Sequence, residues 1–432
     1  MRTAIGEERD DRTELQSVTR TALTSEAGQL SPASGLQPGN PIRVTVLTGG
    51  GDRPYALGLA STLVSQGVPF DFIASDELET PELRRNPLVR VLNLRGDMRP
   101  GATTARKVWR VLIYYWRLLR YAVTARPKVF HILWNNKLEL IDRTLLLTYY
   151  RSLGKRIALT VHNVNARQRD ANDTWLNRWT LRIQYHLVDH LFVHTEQMKR
   201  ALQTEFGVPS RKISVIPFGI NSTVPNTALT PREARIRLGL SAGQKVVLFF
   251  GNIAPYKGLE YLIEAMALLV AKEPSYRLVI AGRPKNCQLY WEEIRKRISA
   301  LGLTRYLIQR IEYVPDADTE IYFKAADVVV LPYTHIFQSG VLFLAYNFGL
   351  PVVASDVGSL KEDIVEGRTG FVCKPRDCAD LAGSIETYFS SPLFGRLETW
   401  RKNIQAFANE KNSRTKVGEI TRAVYTELLG QR

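Results

Sequence analysis

Three cysteines in 432 residues are too few for a disulfide framework. Cys287, Cys373 and Cys378 show no paired metal spacing, and the five-residue step between the last two matches no common zinc pattern. No metal is expected, and a reducing compartment is. No apolar run approaches the roughly 18–20 residues that a spanning helix needs. The opening MRTAIGEERDDRTELQSV carries acids where a secretory signal would carry an apolar core, so a cytoplasmic protein is expected. Gly49, Gly50 and Gly51 stand at a strand end but lack the spacing G-x-G-x-x-G. A tight turn, or close approach of the backbone to a ligand, is the plainer reading. The sharpest local shortage is of negative charge: residues 98–138 hold no acid at all.

What fills that stretch is ARKVWRVLIYYWRLLRYAVTARPK. Arg106, Lys107, Arg110, Arg117, Arg120, Arg126 and Lys128 alternate with Trp109, Tyr114, Tyr115, Trp116 and Tyr121. Helical spacing puts apolar and basic residues on mixed faces. Such a helix suits a membrane interface, with cations at lipid phosphates and rings at headgroup depth. The plainer reading is a packed helix with one solvated basic face. The whole chain carries a net charge of +16, which allows nucleic acid, an anionic membrane surface or acidic small substrates. No recognised nucleic-acid module accompanies the charge, so a nucleic-acid partner is not expected.

The length and the 45% hydrophobic content fit two ordinary globular domains. Residues 1–40 are polar and lack apolar periodicity, which predicts a disordered tail. From residue 41 to 222, apolar runs such as IRVTVLT, PFDFIAS, VFHILW, RIALTVHNV, HLFVHTE and KISVIPFGIN alternate with helical segments. Residues 223–240 read as a linker. From 241 to 395 the rhythm returns with VVLFFG, YRLVIAG, IQRIEYV, DVVVLPY and PVVASD. Strand–helix alternation of this kind predicts two α/β units with parallel sheets. Residues 396–432 read as one or two amphipathic helices.

In open α/β sheets, ligands collect at the carboxyl ends of strands. Lys257, just inside a helix start, and Ser339–Gly340, just before another, can hold a diphosphate on a cation, backbone amides and the positive end of a helix dipole. His162 ends the strand RIALTVHNV, placed to touch a phosphate or a sugar hydroxyl. A histidine satisfied within its loop is the alternative. Asn135, Asn136 and Lys137, after VFHILW, are acceptor-side candidates, with a plain loop as the alternative.

The segments VIPFGI, GNIAPYKGLEYLIEA, RLVIAG, ADVVVLPY and FGLPVVASDVGSLKEDIVEGRTGF resemble family 4 glycosyltransferases in order and spacing. The resemblance runs from Ile42 to about Phe389 and is strongest in the second half. It implies a GT-B fold, two Rossmann-like domains facing a cleft, with the donor on the second and the acceptor on the first. It implies a metal-independent, retaining transfer without a cofactor, the nucleotide-sugar being a co-substrate. The last helices would pack back on the first domain. By the same resemblance Gly49, Gly50 and Gly51 face the donor phosphate. Lys257 and the amides at Ser339 and Gly340 meet the diphosphate, and His162 sits near the transferred sugar. Gly251, Asn252, Gly282, Gln338 and Val341 complete the expected donor set. Asn252 stands where the family often has Arg. The family's two Glu, eight positions apart, fall on Ile336 and Leu344, which cannot accept a hydrogen bond from a hydroxyl. The expectation is a transferase working on a lipid-linked or oligosaccharide acceptor in exopolysaccharide or surface-polysaccharide assembly, peripheral on the inner membrane face. A non-catalytic nucleotide-sugar-binding subunit is the alternative. An epimerase or phosphorylase on the same fold ranks below both.

Overall fold

The structure, a computed structural model, describes residues 42–96, 103–169, 172–218, 224–284 and 287–430. The expected disordered tail lies outside them. The first sheet has seven strands: β1 (Val44–Leu47), β2 (Phe70–Ala74), β3 (Val89–Asn93), β4 (Val129–Ile132), β5 (Arg156–Thr160), β6 (His190–Val193) and β7 (Ile213–Val215). Their order is β3-β2-β1-β4-β5-β6-β7, all parallel. The second sheet has six: β8 (Lys245–Phe250), β9 (Tyr276–Ala281), β10 (Leu307–Arg310), β11 (Val328–Leu331), β12 (Val352–Ser355) and β13 (Gly370–Cys373). They run β10-β9-β8-β11-β12-β13, again all parallel. Every residue of β1, β4, β11 and β12 is buried. Helices cover both faces of such strands, so burial falls on every position rather than on alternate ones. The result is the GT-B arrangement of two Rossmann-like domains.

Helix α1 (Arg53–Ser65) starts where Asp52 caps it, its carboxylate accepting from Tyr55 N at 3.1 Å, with Pro54 in the first turn. Helix α2 (Thr104–Thr124) is the basic-aromatic segment. It buries Tyr114, Leu118 and Ala122 and leaves Val108, Trp109, Leu112, Trp116, Leu119 and Val123 exposed. Among the described residues, no helix is long and apolar enough to cross a membrane.

Two expected boundaries move. The segment read as a linker belongs to the second domain from Val224 onward. Val224, Ala234 and Leu240 lie in its core, and helix α3 (Pro231–Arg237) opens with a full capping box between Thr230 and Glu233. Glu320 accepts from Thr227 N at 2.8 Å, and Asp327 accepts from Arg235 Nη2 at 2.7 Å. Polar composition suggested a free connection, but these long-range carboxylates pin the segment down.

The C-terminal helices divide between the domains. Helix α4 (Gly340–Asn347) receives α5 (Leu397–Lys411) on the second domain, where Ile404 and Ala408 join the core and Arg401 donates to Phe348 O at 3.1 Å. Only α6 (Arg414–Gly430) packs on the first domain, burying Val417, Val424, Tyr425 and Leu428 with residues of α1. Gly418 fits this contact because a methyl there would lie 2.5 Å from Gln66 Cγ. Tyr425 Oη meets His131 Nδ1 at 2.6 Å, and Thr160 Oγ1 holds Nε2 at 2.8 Å. Tyr425→Phe leaves a ring nitrogen buried without its partner, at a cost of about 1–3 kcal/mol. A urea midpoint unchanged in that variant would show that the bond does not hold α6 to the first sheet.

Candidate functional site

Strand order reverses at two places, between β1 and β4 and between β8 and β11, and such points open a crevice at the carboxyl ends of the strands. On the second domain the chain leaves β8 through Gly251, at φ 96°, and reaches a single 3₁₀ turn, Pro255–Lys257. Gly258 follows at φ 61°, pressed so closely on β11 that a methyl would lie 2.0 Å from Pro332 O. Only glycine serves there, and it fixes where Lys257 stands. Lys257 is 7% exposed, and its Nζ lies 5.2 Å from the centre of the Tyr333 ring. Tyr333 Oη lies 3.4 Å from Ser339 Oγ. Ser339 is the N-cap of α4 without using its side chain as a cap. The amides of Gly340 and Val341 fall in the first turn, where a helix has no internal acceptors and where its dipole is positive. Gln338 Oε1 is buried without a partner among the described residues.

The first domain supplies the facing wall. Asp52, Tyr55, Leu59 and Thr62 of the α1 region, Phe218, and Arg414 and Val417 of α6 close a cavity of about 420 Å³ against Asn252, Tyr256, Lys257, Tyr333, Gln338, Ser339, Gly340 and Val341. Phe218 stacks on Phe343 at 5.4 Å. Asp52 is exposed as a residue, but protein crowding its carboxyl raises it above the usual range. Ile336 and Leu344 line the same cavity.

The structure therefore brings together Lys257, Asn252, Gln338, Ser339, Gly340 and Val341. Gly251 sits beside them, since a methyl on it would meet Lys257 Nζ at 3.2 Å. Gly282 supports Gly251 from behind, with room for no side chain (1.9 Å from Gly251 O).

Other expected residues fall elsewhere. Gly49 and Gly51 pack on Trp134 and Gly50 on Arg95, where added methyls would lie 2.0 Å and 2.6 Å from those residues. They do not line the cleft cavity; Asp52, the next residue, does. His162 stacks on Trp134 at 4.2 Å and takes the edge of Tyr55 at 4.6 Å. It lines a separate space of about 290 Å³ with Asn135, Asn163, Arg143 and Gln184. Its Nδ1 is 3.4 Å from His194 Nε2, and its Nε2 has no partner among the described residues. Burial and the neighbouring His194 push its pKa well below the usual histidine value. The ring is neutral near pH 7, so it can exchange a hydrogen bond but cannot counter a phosphate charge. Asn135 pairs with Gln184 at 2.8 Å, while Asn136 and Lys137 line a third groove against α2. Tyr55, Phe218, Tyr333 and Arg414 carry no motif that sequence reading could have used. Asp52 did carry one: a capping carboxylate directly before Arg53–Pro54.

Residues 49–224 match the family described as Glycosyltransferase Family 4, and residues 244–391 match the one described as Glycosyl transferases group 1. The chain is 26% identical over 350 residues to the D-inositol 3-phosphate glycosyltransferase of Corynebacterium glutamicum, covering 78% of this chain and 83% of that protein. It is 31% identical over 208 residues to the protein of the same name from Geodermatophilus obscurus, 46% of this chain and 44% of that one. Among solved structures, Anabaena HepE in complex with UDP and glucose superposes with a TM-score of 0.68 at 18% identity, covering 89% of this chain and all (100%) of that one. Sucrose-phosphate synthase from Thermosynechococcus elongatus gives 0.71 at 18% identity, with 90% and 100% covered.

Proposed function

We propose, for a chain that belongs to glycosyltransferase family 4, that its cleft binds a nucleotide-diphosphate sugar and passes the sugar to a hydroxyl of a lipid-linked acceptor. The observation that carries the donor part is the meeting of Lys257 with the first-turn amides of α4 in one cavity at the β8/β11 reversal. Charge builds on the diphosphate as the glycosidic bond breaks. A buried amine and fixed amides stabilise that charge with little reorganisation, so no metal ion is required in this reading. Gln338 Oε1, buried without a partner among the described residues, takes a sugar hydroxyl. It serves where the family's acids are replaced by Ile336 and Leu344. Retention of anomeric configuration follows the family. HepE has been solved with UDP and glucose and with UDP-glucose, which makes UDP the first base to try.

The acceptor part rests on α2. Its exposed apolar stripe and its cations suit a protein held at an anionic membrane face during surface-polysaccharide assembly. The two apolar replacements also support a second reading, a nucleotide-sugar-binding subunit that does not turn over.

A thermal-shift screen against UDP, GDP, ADP and their sugar conjugates separates these. One nucleotide should raise the midpoint, and the matching sugar conjugate should then label a membrane lipid extract. D-inositol 3-phosphate, the acceptor named for the relatives, runs beside it as the soluble candidate. A shift without transfer to any acceptor favours the second reading. No shift with any nucleotide sinks both.

A further inference from the structure

A groove of about 470 Å³ runs between α2 and residues 136–138, apart from the cleft. Arg95 lines it at 7% exposure. Arg95 Nη1 is buried and has no hydrogen-bond partner among the described residues. The guanidinium lies 5.0 Å from the centre of the Tyr114 ring, a contact that holds it without neutralising it. The carboxylate of Asp142 is near enough to interact with the Arg95 charge, but a buried N–H without an acceptor is costly until one comes to it. The surrounding wall is fixed in advance: Tyr114 Oη donates to Asn136 Oδ1 at 2.7 Å, and Asn136 Nδ2 donates to Asp142 Oδ1 at 3.0 Å. Asp142 does not line the groove. That same Oδ1 also accepts from Tyr115 Oη at 2.8 Å.

The rest of the groove is apolar. Val108 and Leu112 line it while being 55% and 53% exposed. Through them it runs on into the exposed stripe of Trp116, Leu119 and Val123 along the same helix. Lys107 and Lys137 are exposed residues of its lining. Arg95 also touches the loop that leads to the cleft. A methyl on Gly50 would lie 2.6 Å from its guanidinium, and Asp52, two residues on, lines the donor cavity.

We infer that this groove seats the phosphate of a single-chain lipid acceptor on Arg95, with the hydrocarbon chain laid over Val108 and Leu112 toward the stripe on α2. A free phosphate would use the cation but not the apolar wall. A neutral lipid would use the wall and bring no anion to Arg95 Nη1. The chemistry that satisfies both is a phosphate on a long apolar chain. The inference rests on the lipid-acceptor reading above and gives it a location.

The test titrates the full chain calorimetrically with three probes: a short water-soluble prenyl monophosphate, the corresponding prenol, and inorganic phosphate. The prenyl phosphate should bind, and the other two should bind at least about tenfold more weakly. Arg95→Gln keeps a planar polar side chain and removes the charge. It should lose about tenfold or more in affinity for the prenyl phosphate, the scale of one charge-assisted contact. Leu112→Glu, at an exposed position, should lose a similar factor. Both variants should keep the wild-type thermal shift with the cleft's nucleotide, which shows that they fold and retain the donor site. Unchanged prenyl phosphate affinity in both variants overturns the inference, as does inorganic phosphate binding as tightly as the lipid. Transfer of sugar to the hydroxyl of a lipid-linked acceptor by Arg95→Gln at the wild-type rate overturns the groove while leaving the acceptor reading in place. Transfer to soluble acceptors alone overturns both.

Discussion

Lys257→Ala is expected to lower sugar transfer by about two to three orders of magnitude, the usual loss when one preorganised group facing developing negative charge is removed. It should also abolish the midpoint rise given by the nucleotide diphosphate. The nucleotide-free midpoint should stay near wild type, because the turn is held by its backbone. Lys257 N donates to Ala254 O at 2.9 Å, and Thr334 N donates to Tyr256 O at 2.8 Å. Lys257→Arg should rescue poorly. A guanidinium fork is wider than an ammonium, and the space beside the charge is narrow enough that a methyl added at Gly251 would lie 3.2 Å from Lys257 Nζ. A variant that lacks Lys257 yet keeps the full nucleotide shift would remove this residue from the site.

Acid should unfold the first domain more sharply than its carboxylates alone would. Four of the six histidines, His131, His162, His190 and His194, lie on or just after β4, β5 and β6. Burial lowers all four: His131 to about 3, His190 and His194 to about 4, and His162 well below its usual value. The folded pKa is below the unfolded one in each case. The unfolded chain therefore binds more protons once pH drops below about 6.5, and stability falls from there until the folded values are reached. Each histidine contributes about 1.4 kcal/mol per pH unit in that window, so the four together approach roughly 5 kcal/mol per unit near pH 5. Asp52, Asp142, Asp327 and Asp363, whose carboxyls desolvation raises, act in the opposite direction because the folded state takes up their protons first. Urea midpoints from pH 7.5 to 5 measure the balance. A flat profile would mean that these rings meet water or a counter-charge in the folded protein. Where the slope is seen, His194→Asn should reduce it by about one proton.

How much of this was legible beforehand depends on where each residue sits in its sheet. Interior strands announced themselves, because burial on both faces demands unbroken apolar runs such as VVLFF and DVVVLPY. The edge strands β3 and β13 did not. β3 is only partly buried, and β13 is four residues opening at Gly370, where a methyl would lie 1.8 Å from Val352 O. The stretch from Leu140 to Gly154 is apolar enough for one helix but breaks at Thr144, whose hydroxyl donates to Leu140 O at 2.6 Å and competes with the helical pattern. Helix starts rest on equally local chemistry: Thr195 caps Glu196–Phe206 by accepting from Met198 N.

By itself, then, the sequence determined the two α/β units, the parallel sheets, and the cation and helix start that the fold brings into one cavity. Those follow from local chemistry: apolar continuity, a glycine after a strand, a small residue before a helix. Which side chains share a cavity was decided only by tertiary structure. His162 ends its strand as expected, yet rings from Trp134 and Tyr55, remote in the chain, fill the space around it and leave it out of the cleft cavity. Arg95 looked like one of many arginines until folding buried it beside Tyr114, with Nη1 lacking a partner among the described residues and the exposed stripe of α2 close by. Local sequence carries the secondary structure because its forces act over a few residues. It does not carry the cavities, because each of their walls comes from segments that meet only when the sheets are stacked.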